Sequence, residues 1–235
     1  MDTASVDHKG SGIVQSKKYT TDVVTARHSV RAFLPDPVPR QMLEECFDLA
    51  QSAPSNSNIQ PWRVTVIEGA ALKRASKAMH NAIAQGTAST VLPIPDAYTP
   101  YRSQMGHALY GKDGYDIPRG DRERLEAARR RNYDFFGAPT ALIVSMDSRL
   151  APVDTLSVGF YLHTLCLLLA ERGVAHCYQV SVAGYPDVLR KELGIDQSMH
   201  ILCGVAIGYE DERQHINGLR IPRDEWQKNV TFVDA

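Results

Sequence analysis

The sequence predicts one domain that mixes helices with short buried strands, and three observations carry this. Residues 63–68, 139–146 and 201–207 are short runs rich in apolar and β-branched side chains. Residues 40–50, 70–85 and 153–172 carry helical patterns, the last apolar nearly all round and stopped by Gly173. No internal repeat and no linker rich in Gly, Ser or Pro divides the 235 residues, a length ample for a packed core.

Residues 1–19 are polar and are expected to form a poorly ordered arm. A short helix over 21–26 leads into Arg27-His28-Ser29-Val30-Arg31, where three potentially cationic side chains and a hydroxyl fall within five residues. Guanidinium forks and a serine hydroxyl suit phosphate oxygens, although the same cluster also fits a solvated basic turn. A proline-rich connector from Phe33 precedes the next helix, whose Met42, Leu43, Cys46, Phe47, Leu49 and Ala50 make one apolar face.

Pro54-Ser55-Asn56-Ser57-Asn58-Ile59-Gln60-Pro61-Trp62 then separates that helix from the first strand. Such a segment is a poor helix or strand former. It can present backbone N–H groups, hydroxyls and amides to a polar edge, or form an ordinary surface turn. From Gly86 to Gly120 regular periodicity fails, and four prolines are joined by Tyr98, Tyr101, Tyr110 and Tyr115. Long irregular segments of this kind act as lids or binding loops, and the tyrosines favour a lid. Helix returns behind Asp121, a suitable N-cap, and runs through Arg129-Arg130-Arg131, read as a solvated face, to about Phe136.

In the long apolar helix, His163 reads as a core or interface histidine. Residues 175–183 begin extended and end in small residues, and a helix over 186–193 is closed by Gly194. The tail carries Arg220 and Arg223, and residues 230–233 could add a terminal edge strand.

Composition narrows the function classes. A net charge of −1 argues against a polyanion-binding protein, so no nucleic-acid partner is expected. Cys46, Cys166, Cys177 and Cys203 lie far apart with no C-x-x-C pair, as expected for thiols in a reducing compartment. No apolar stretch approaches the roughly 20 residues of a membrane span, and the N-terminus lacks the apolar core of a secretory signal. No membrane partner and a cytoplasmic location are therefore expected. No phosphate-binding P-loop, G-x-G-x-x-G, H-E-x-x-H or G-x-S-x-G pattern occurs, and no metal site is evident. What remains is two basic groups, Arg27/Arg31 and Arg220/Arg223, and one amide-rich stretch. If they meet in space, they describe a site for a phosphorylated planar cofactor, for which flavin mononucleotide (FMN) is the obvious candidate.

The ordered sum of these motifs resembles the flavin-dependent nitroreductase family. It comprises Arg27–Arg31, Ala53–Trp62, Phe135-Phe-Gly-Ala-Pro139, Gly159, Cys177-x-Gln179, Leu193-Gly194, the strand Cys203–Tyr209 and the pair Arg220/Arg223. The segment 86–136 looks like the insertion and helix of a longer-chain branch, and residues 20–235 are expected to form one nitroreductase-like domain. The resemblance implies an α+β fold with a central mixed sheet flanked by helices. It also implies an intertwined homodimer whose C-terminal extension reaches the partner, with FMN at the interface.

Carried over, Arg27, Ser29, Arg31, Arg220 and Arg223 would hold the phosphate, with His28 beside the ribityl chain or ring. Pro54, Ser55, Asn56, Ser57, Asn58 and Gln60 would come from the other subunit. Ser181, Val182, Ala183 and Gly184 would face the flavin, and Arg129 and Asn132 would lie near its N1 and O2 edge. Tyr98, Tyr101 and Arg102 would contact a small aromatic acceptor. The implied reaction is ping-pong hydride transfer from NAD(P)H through FMN to a nitroaromatic compound, with no side-chain nucleophile. Reduction of quinones or enones, reductive dehalogenation, or flavin binding without turnover stand as alternatives. The frequent Cys-Pro-Gln of the family appears here as Cys177-Tyr-Gln, which leaves the substrate class open.

Overall fold

Chain order gives seven helices among the described residues, 19–233 of a computed structural model. They are α1 (Thr20–Ala26), α2 (Arg40–Ala50), α3 (Gly69–Ala84), α4 (Thr99–Tyr110), α5 (Arg122–Arg130), α6 (Thr155–Glu171) and α7 (Pro186–Leu193). Four strands, β1 (Arg63–Glu68), β2 (Thr140–Asp147), β3 (Ala175–Gln179) and β4 (Met199–Gly208), form one sheet in the order β1-β2-β4-β3. The expected arm falls on residues outside those described, except for Tyr19.

Strand β2 reads as a continuous apolar run because both faces of the sheet are covered. Leu142, Val144 and Met146 join one core cluster while Ala141 and Ile143 join another, as the two-residue period of a strand requires. The first face packs against α2 and α6 through Leu43, Cys46, Tyr161, Leu165 and Leu169. The second packs against α3 and α7 through Ala75, Met79 and Leu189. All strand pairs are antiparallel. The parallel component of the expected mixed sheet is a single isolated bridge between Ser29 and His176, which lays the basic segment along the edge of β3.

Helix α6 needs a correction to its expected surroundings. The helical run Pro152–Glu171 is long and apolar enough by composition to cross a membrane, contrary to the sequence expectation. Leu165, Cys166 and Leu169 are fully buried against the sheet, which marks it as a core helix. Its other side is open: Val153, Leu156 and Phe160 are exposed, and His163 is exposed rather than in the core.

The irregular stretch from Gly86 to Gly120 also differs from expectation, since α4 occupies its middle. Pro100 sits in the first turn of α4, where its missing N–H leaves no helical bond unmade, so it starts the helix rather than breaking it. Leu109 of α4 packs with Ala32, Ile216 and Leu219, which ties the insertion to the C-terminal segment. The helix behind Asp121 ends at Arg130 and the chain goes on in 3₁₀ form until a left-handed kink at Phe135 and Phe136 ends it before Gly137. The segment 230–233 forms no strand, and Phe232 instead meets Trp226 edge to face.

Candidate active site

One member of each basic group, Arg31 and Arg220, bonds to Asn217. The backbone N–H of Arg31 donates to Asn217 Oδ1 at 2.8 Å, and the Asn217 amide donates to the carbonyls of Ala32 and Asp211. Arg220 Nη1 donates to the Asn217 carbonyl at 2.7 Å. Asn217 is 1% exposed and its amide bonds to Ala32 and Asp211 are buried, so their loss would leave buried groups unpaired. Each guanidinium carries five N–H donors. The bonds found to protein acceptors, Arg31 Nη1 to the Ser29 carbonyl and Arg220 Nη1 to two carbonyls, leave most of them for an anion.

Arg27, Ser29 and Arg31 gather around Cys177. Burial pushes the Cys177 thiol up, and the Arg31 guanidinium, the Ser29 hydroxyl and Arg27 partly offset this. Arg131, from the turn after α5, donates through Nη2 to the Arg31 carbonyl at 3.1 Å and lies 5.5 Å over the Tyr115 ring. The Tyr115 hydroxyl is buried without a hydrogen-bond partner. Burial raises its pKa, with Arg131 and Arg31 pulling it back. A lone buried hydroxyl beside two guanidiniums is a fitting set of donors for a phosphate oxygen.

His28 turns elsewhere. Its Nδ1 faces the Ala26 carbonyl at 2.9 Å and its Nε2 faces Glu210 at 3.0 Å. With Arg27 and His176 it lines a separate cavity of 560 Å³ beside Ala170 and Gly173, at the C-terminal end of α6.

Pro54–Gln60 lies at the opposite end of that helix. The Asn56 N–H donates to Ser157 Oγ at 3.2 Å and its amide to Asp154 at 3.3 Å. Trp62 stacks on Tyr161 at 4.7 Å and holds the end of the segment. From Ser157 to Ala170 a helix rises about 20 Å at 1.5 Å per residue, so within one chain the amide-rich segment and Arg27 are far apart. Ser57, Asn58 and Gln60 have φ of 48°, 57° and 47°. Ser57 and Gln60 in the left-handed region cost roughly 1–2 kcal/mol each. Internal bonds from the Gln60 N–H to Ser55 Oγ and from the Gln60 amide to the Asn58 carbonyl hold this shape. Backbone held this way clusters at ligand-binding segments.

The remaining candidates divide between three places. Asn132 gives its carbonyl to Gln179 Nε2 at 2.6 Å, beside the turn Val180–Gly184. Ser181 is half-buried there, while Val182, Ala183 and Gly184 are buried. Val182 fills the space a side chain at Gly204 would take, and Thr90 binds the carbonyls of Ala183 and Gly184, so part of this turn is covered by the chain itself. Arg223 joins Tyr98 and Tyr101 in a cavity of 510 Å³. Its donors found in bonds go to the Ile221 and Pro222 carbonyls, not to Asn217. The Tyr101 hydroxyl donates to Asp224 and accepts from Lys228 at 3.1 Å, which fastens the insertion to the C-terminal segment. Arg102 and Arg129 line a third cavity.

Sequence reasoning missed Asn217 and Arg131. The Asn217-Gly218 pair signals only a turn, and Arg131 was hidden in a triple-arginine run whose members part ways. Arg129 lies over Tyr110, Arg130 pairs with Glu126, and Arg131 serves Arg31.

Comparison with known proteins identifies the family and the fold. The chain is 37% identical over 215 residues to a 4-nitrobenzoate reductase of Pseudomonas putida, covering 90% of this chain and 94% of that protein. It superposes with a TM-score of 0.88 on an FMN- and NADPH-dependent nitroreductase NfnB from Sphingopyxis at 31% identity, covering 93% of this chain and 100% of that one. An FMN-dependent NfnB from Mycobacterium smegmatis, solved in complex with NADPH, gives 0.85 at 32% identity and covers 91% and 97%. Residues 24–209 match the Nitroreductase family over most of the chain, and the chain belongs to that family.

Proposed function

We propose that the protein is an FMN-dependent oxidoreductase that uses NAD(P)H to reduce nitroaromatic compounds. The observation that carries this reading is the convergence of Arg31 and Arg220 on Asn217 beside the unpartnered Tyr115 hydroxyl. The donor set fits a phosphate dianion: forked cations and a hydroxyl, with the Arg31 backbone and the Arg220 guanidinium both fixed on buried Asn217. Names of similar proteins, which specify FMN, NADPH and 4-nitrobenzoate, support the same reading.

In this reading FMN supplies two-electron hydride transfer between the nicotinamide and the acceptor. The chain's own residues bind and orient. Ser29, Arg31, Arg131 and Arg220 hold the phosphate, and their positive field favours negative charge in the site. Asn132 and Gln179 fix the turn Val180–Gly184 alongside. Pro54–Gln60, about 20 Å away along α6, serves the site of a second copy, and the exposed Val153, Leu156 and Phe160 of α6 supply apolar surface for that contact. With its four cysteines free, the protein suits a reducing, cytoplasmic compartment.

The test is spectroscopic and kinetic. Purified protein should carry the yellow flavin absorbance and oxidise NAD(P)H when 4-nitrobenzoate is added under anaerobic conditions. A colourless protein that FMN does not reconstitute would overturn the proposal.

A further inference from the structure

A cleft of 1080 Å³ opens between α4 and α5. Its floor is apolar, with Met105, Ile117 and Leu125, and its rim carries Arg102, Arg119, Arg122 and Arg129. Arg122, Leu125 and Arg129 come from one face of α5, at spacings of three and four residues. Arg102 reaches the same space from α4. Asp121 also lines the cleft, but its carboxylate is committed to capping α5 by accepting the Arg124 N–H at 3.0 Å. Among the described residues no carboxylate forms an ion pair with any of the four arginines; the neighbouring ion pair is Arg130 with Glu126. Arg129 has the Tyr110 ring 5.9 Å away as its partner. Four guanidiniums without a carboxylate partner around one cavity, in a chain of net charge −1, are a local excess that an anion would balance.

The cleft adjoins the arginine–asparagine site. Tyr110, on its wall, stacks on Tyr115 with centroids 6.3 Å apart, and Tyr115 lies beside Arg131 and Arg31. Helix α5 continues directly into the turn that places Arg131 on the Arg31 carbonyl. The Tyr110–Tyr115 pair is therefore the wall between the cleft and that site. Apolar floor, cationic rim and size together suit a planar ring system bearing a carboxylate or phosphate.

We infer that this cleft is an anion subsite for the small molecules that react with the cofactor held in the adjoining site, taking either the carboxylate of a nitroarene or the 2′-phosphate of NADPH. The inference rests on the proposed function for its choice of molecules, and on the cleft alone for the anion.

The experiment is the double variant Arg119→Gln/Arg122→Gln, in which both positions are exposed and the fold is not at stake. Two ratios of kcat/KM are measured: 4-nitrobenzoate over nitrobenzene with NADH, and NADPH over NADH with nitrobenzene. Losing a charge-assisted hydrogen bond lowers one ratio by roughly tenfold or more. A fall in the first assigns the carboxylate, a fall in the second assigns the phosphate, and two unmoved ratios overturn the subsite. If the parent protein turns over no acceptor, the proposed function fails separately. Calorimetry then tests the cleft with benzoate against benzamide, and with adenosine 2′,5′-bisphosphate against adenosine 5′-monophosphate. A preference for the more anionic member of either pair, lost in the variant, supports the subsite. Absence of any preference in the parent, or one the variant retains, overturns it.

Discussion

Arg31 and Arg220 are held by one buried residue. Asn217 accepts the Arg31 N–H through its side chain and the Arg220 guanidinium through its carbonyl, the first bond spanning 186 positions of sequence. The backbone that carries Arg31 and the guanidinium of Arg220 thus share one rigid support.

Replacing Asn217 by Ala should destabilise the protein and loosen the site together. The Arg31 N–H and the Ala32 and Asp211 carbonyls would lose a buried partner. Each unsatisfied buried group costs about 1–3 kcal/mol, so the thermal midpoint should fall by several degrees. Thermal unfolding followed by circular dichroism measures this, and an unchanged midpoint would contradict the role assigned to Asn217.

Arg220 and Arg223 should not behave alike, although the sequence pairs them. Arg220 is tied to Asn217, whereas Arg223 shares a cavity with Tyr98 and Tyr101. Arg220→Ala or Arg31→Ala should weaken FMN binding by about tenfold to a hundredfold, the loss of one charge-assisted bond. Arg223→Ala should weaken it less. Fluorescence titration of the apoprotein with FMN ranks the three, and a dominant Arg223 effect would reverse the assignment.

The separation along α6 predicts complementation between chains. One chain would carry Arg31→Ala with Arg220→Ala, and the other Asn56→Ala, Asn58→Ala and Gln60→Ala. Each should bind FMN poorly alone. Co-expressed with different affinity tags, the mixed dimer should regain one intact site and about half of the normal FMN content. No regain would show that both parts serve a site within one chain.

His176 predicts an acid limb in the stability profile. Both ring nitrogens are buried without hydrogen-bond partners, and burial, aided by Arg27, His163 and His28, pushes its pKa down to about 3. An unfolded histidine takes a proton near pH 6.5. Between about pH 6.5 and pH 3 the unfolded chain therefore binds a proton that the folded chain does not. Stability should fall as pH drops through that window, by about 1.4 kcal/mol per unit. His176→Phe keeps the ring packed against Tyr178 and removes the titration. Urea denaturation at pH 7 and pH 4.5 should show a smaller acid loss in the variant, and parallel losses would refute the assignment.

What the sequence determined by itself was what depends on neighbours in the chain. β1 lay where its β-branched run predicted, but at the sheet edge only Ile67 of the expected buried strand is buried, because β2 covers one side of it and nothing pairs with the other. The helix behind Asp121 began where a carboxylate could cap it, as the bond to the Arg124 N–H confirms. Arg27–Arg31 and the Ser/Asn segment were legible as chemistry because they gather polar groups within a few residues. Only the tertiary structure decided which of these meet. It put Asn217 under Arg31, separated Arg131 from its two neighbours, moved Arg223 to the tyrosines of the insertion, and set Pro54–Gln60 a helix length away from Arg27. The physical reason is that phosphate-sized sites are built from hydrogen bonds between distant segments, whose directions are fixed by packing and leave no periodic trace in the sequence. The same reason hid α4: Pro100 looks like a breaker until the first turn of a helix, packed on Ile216 and Leu219 through Leu109, gives it a place.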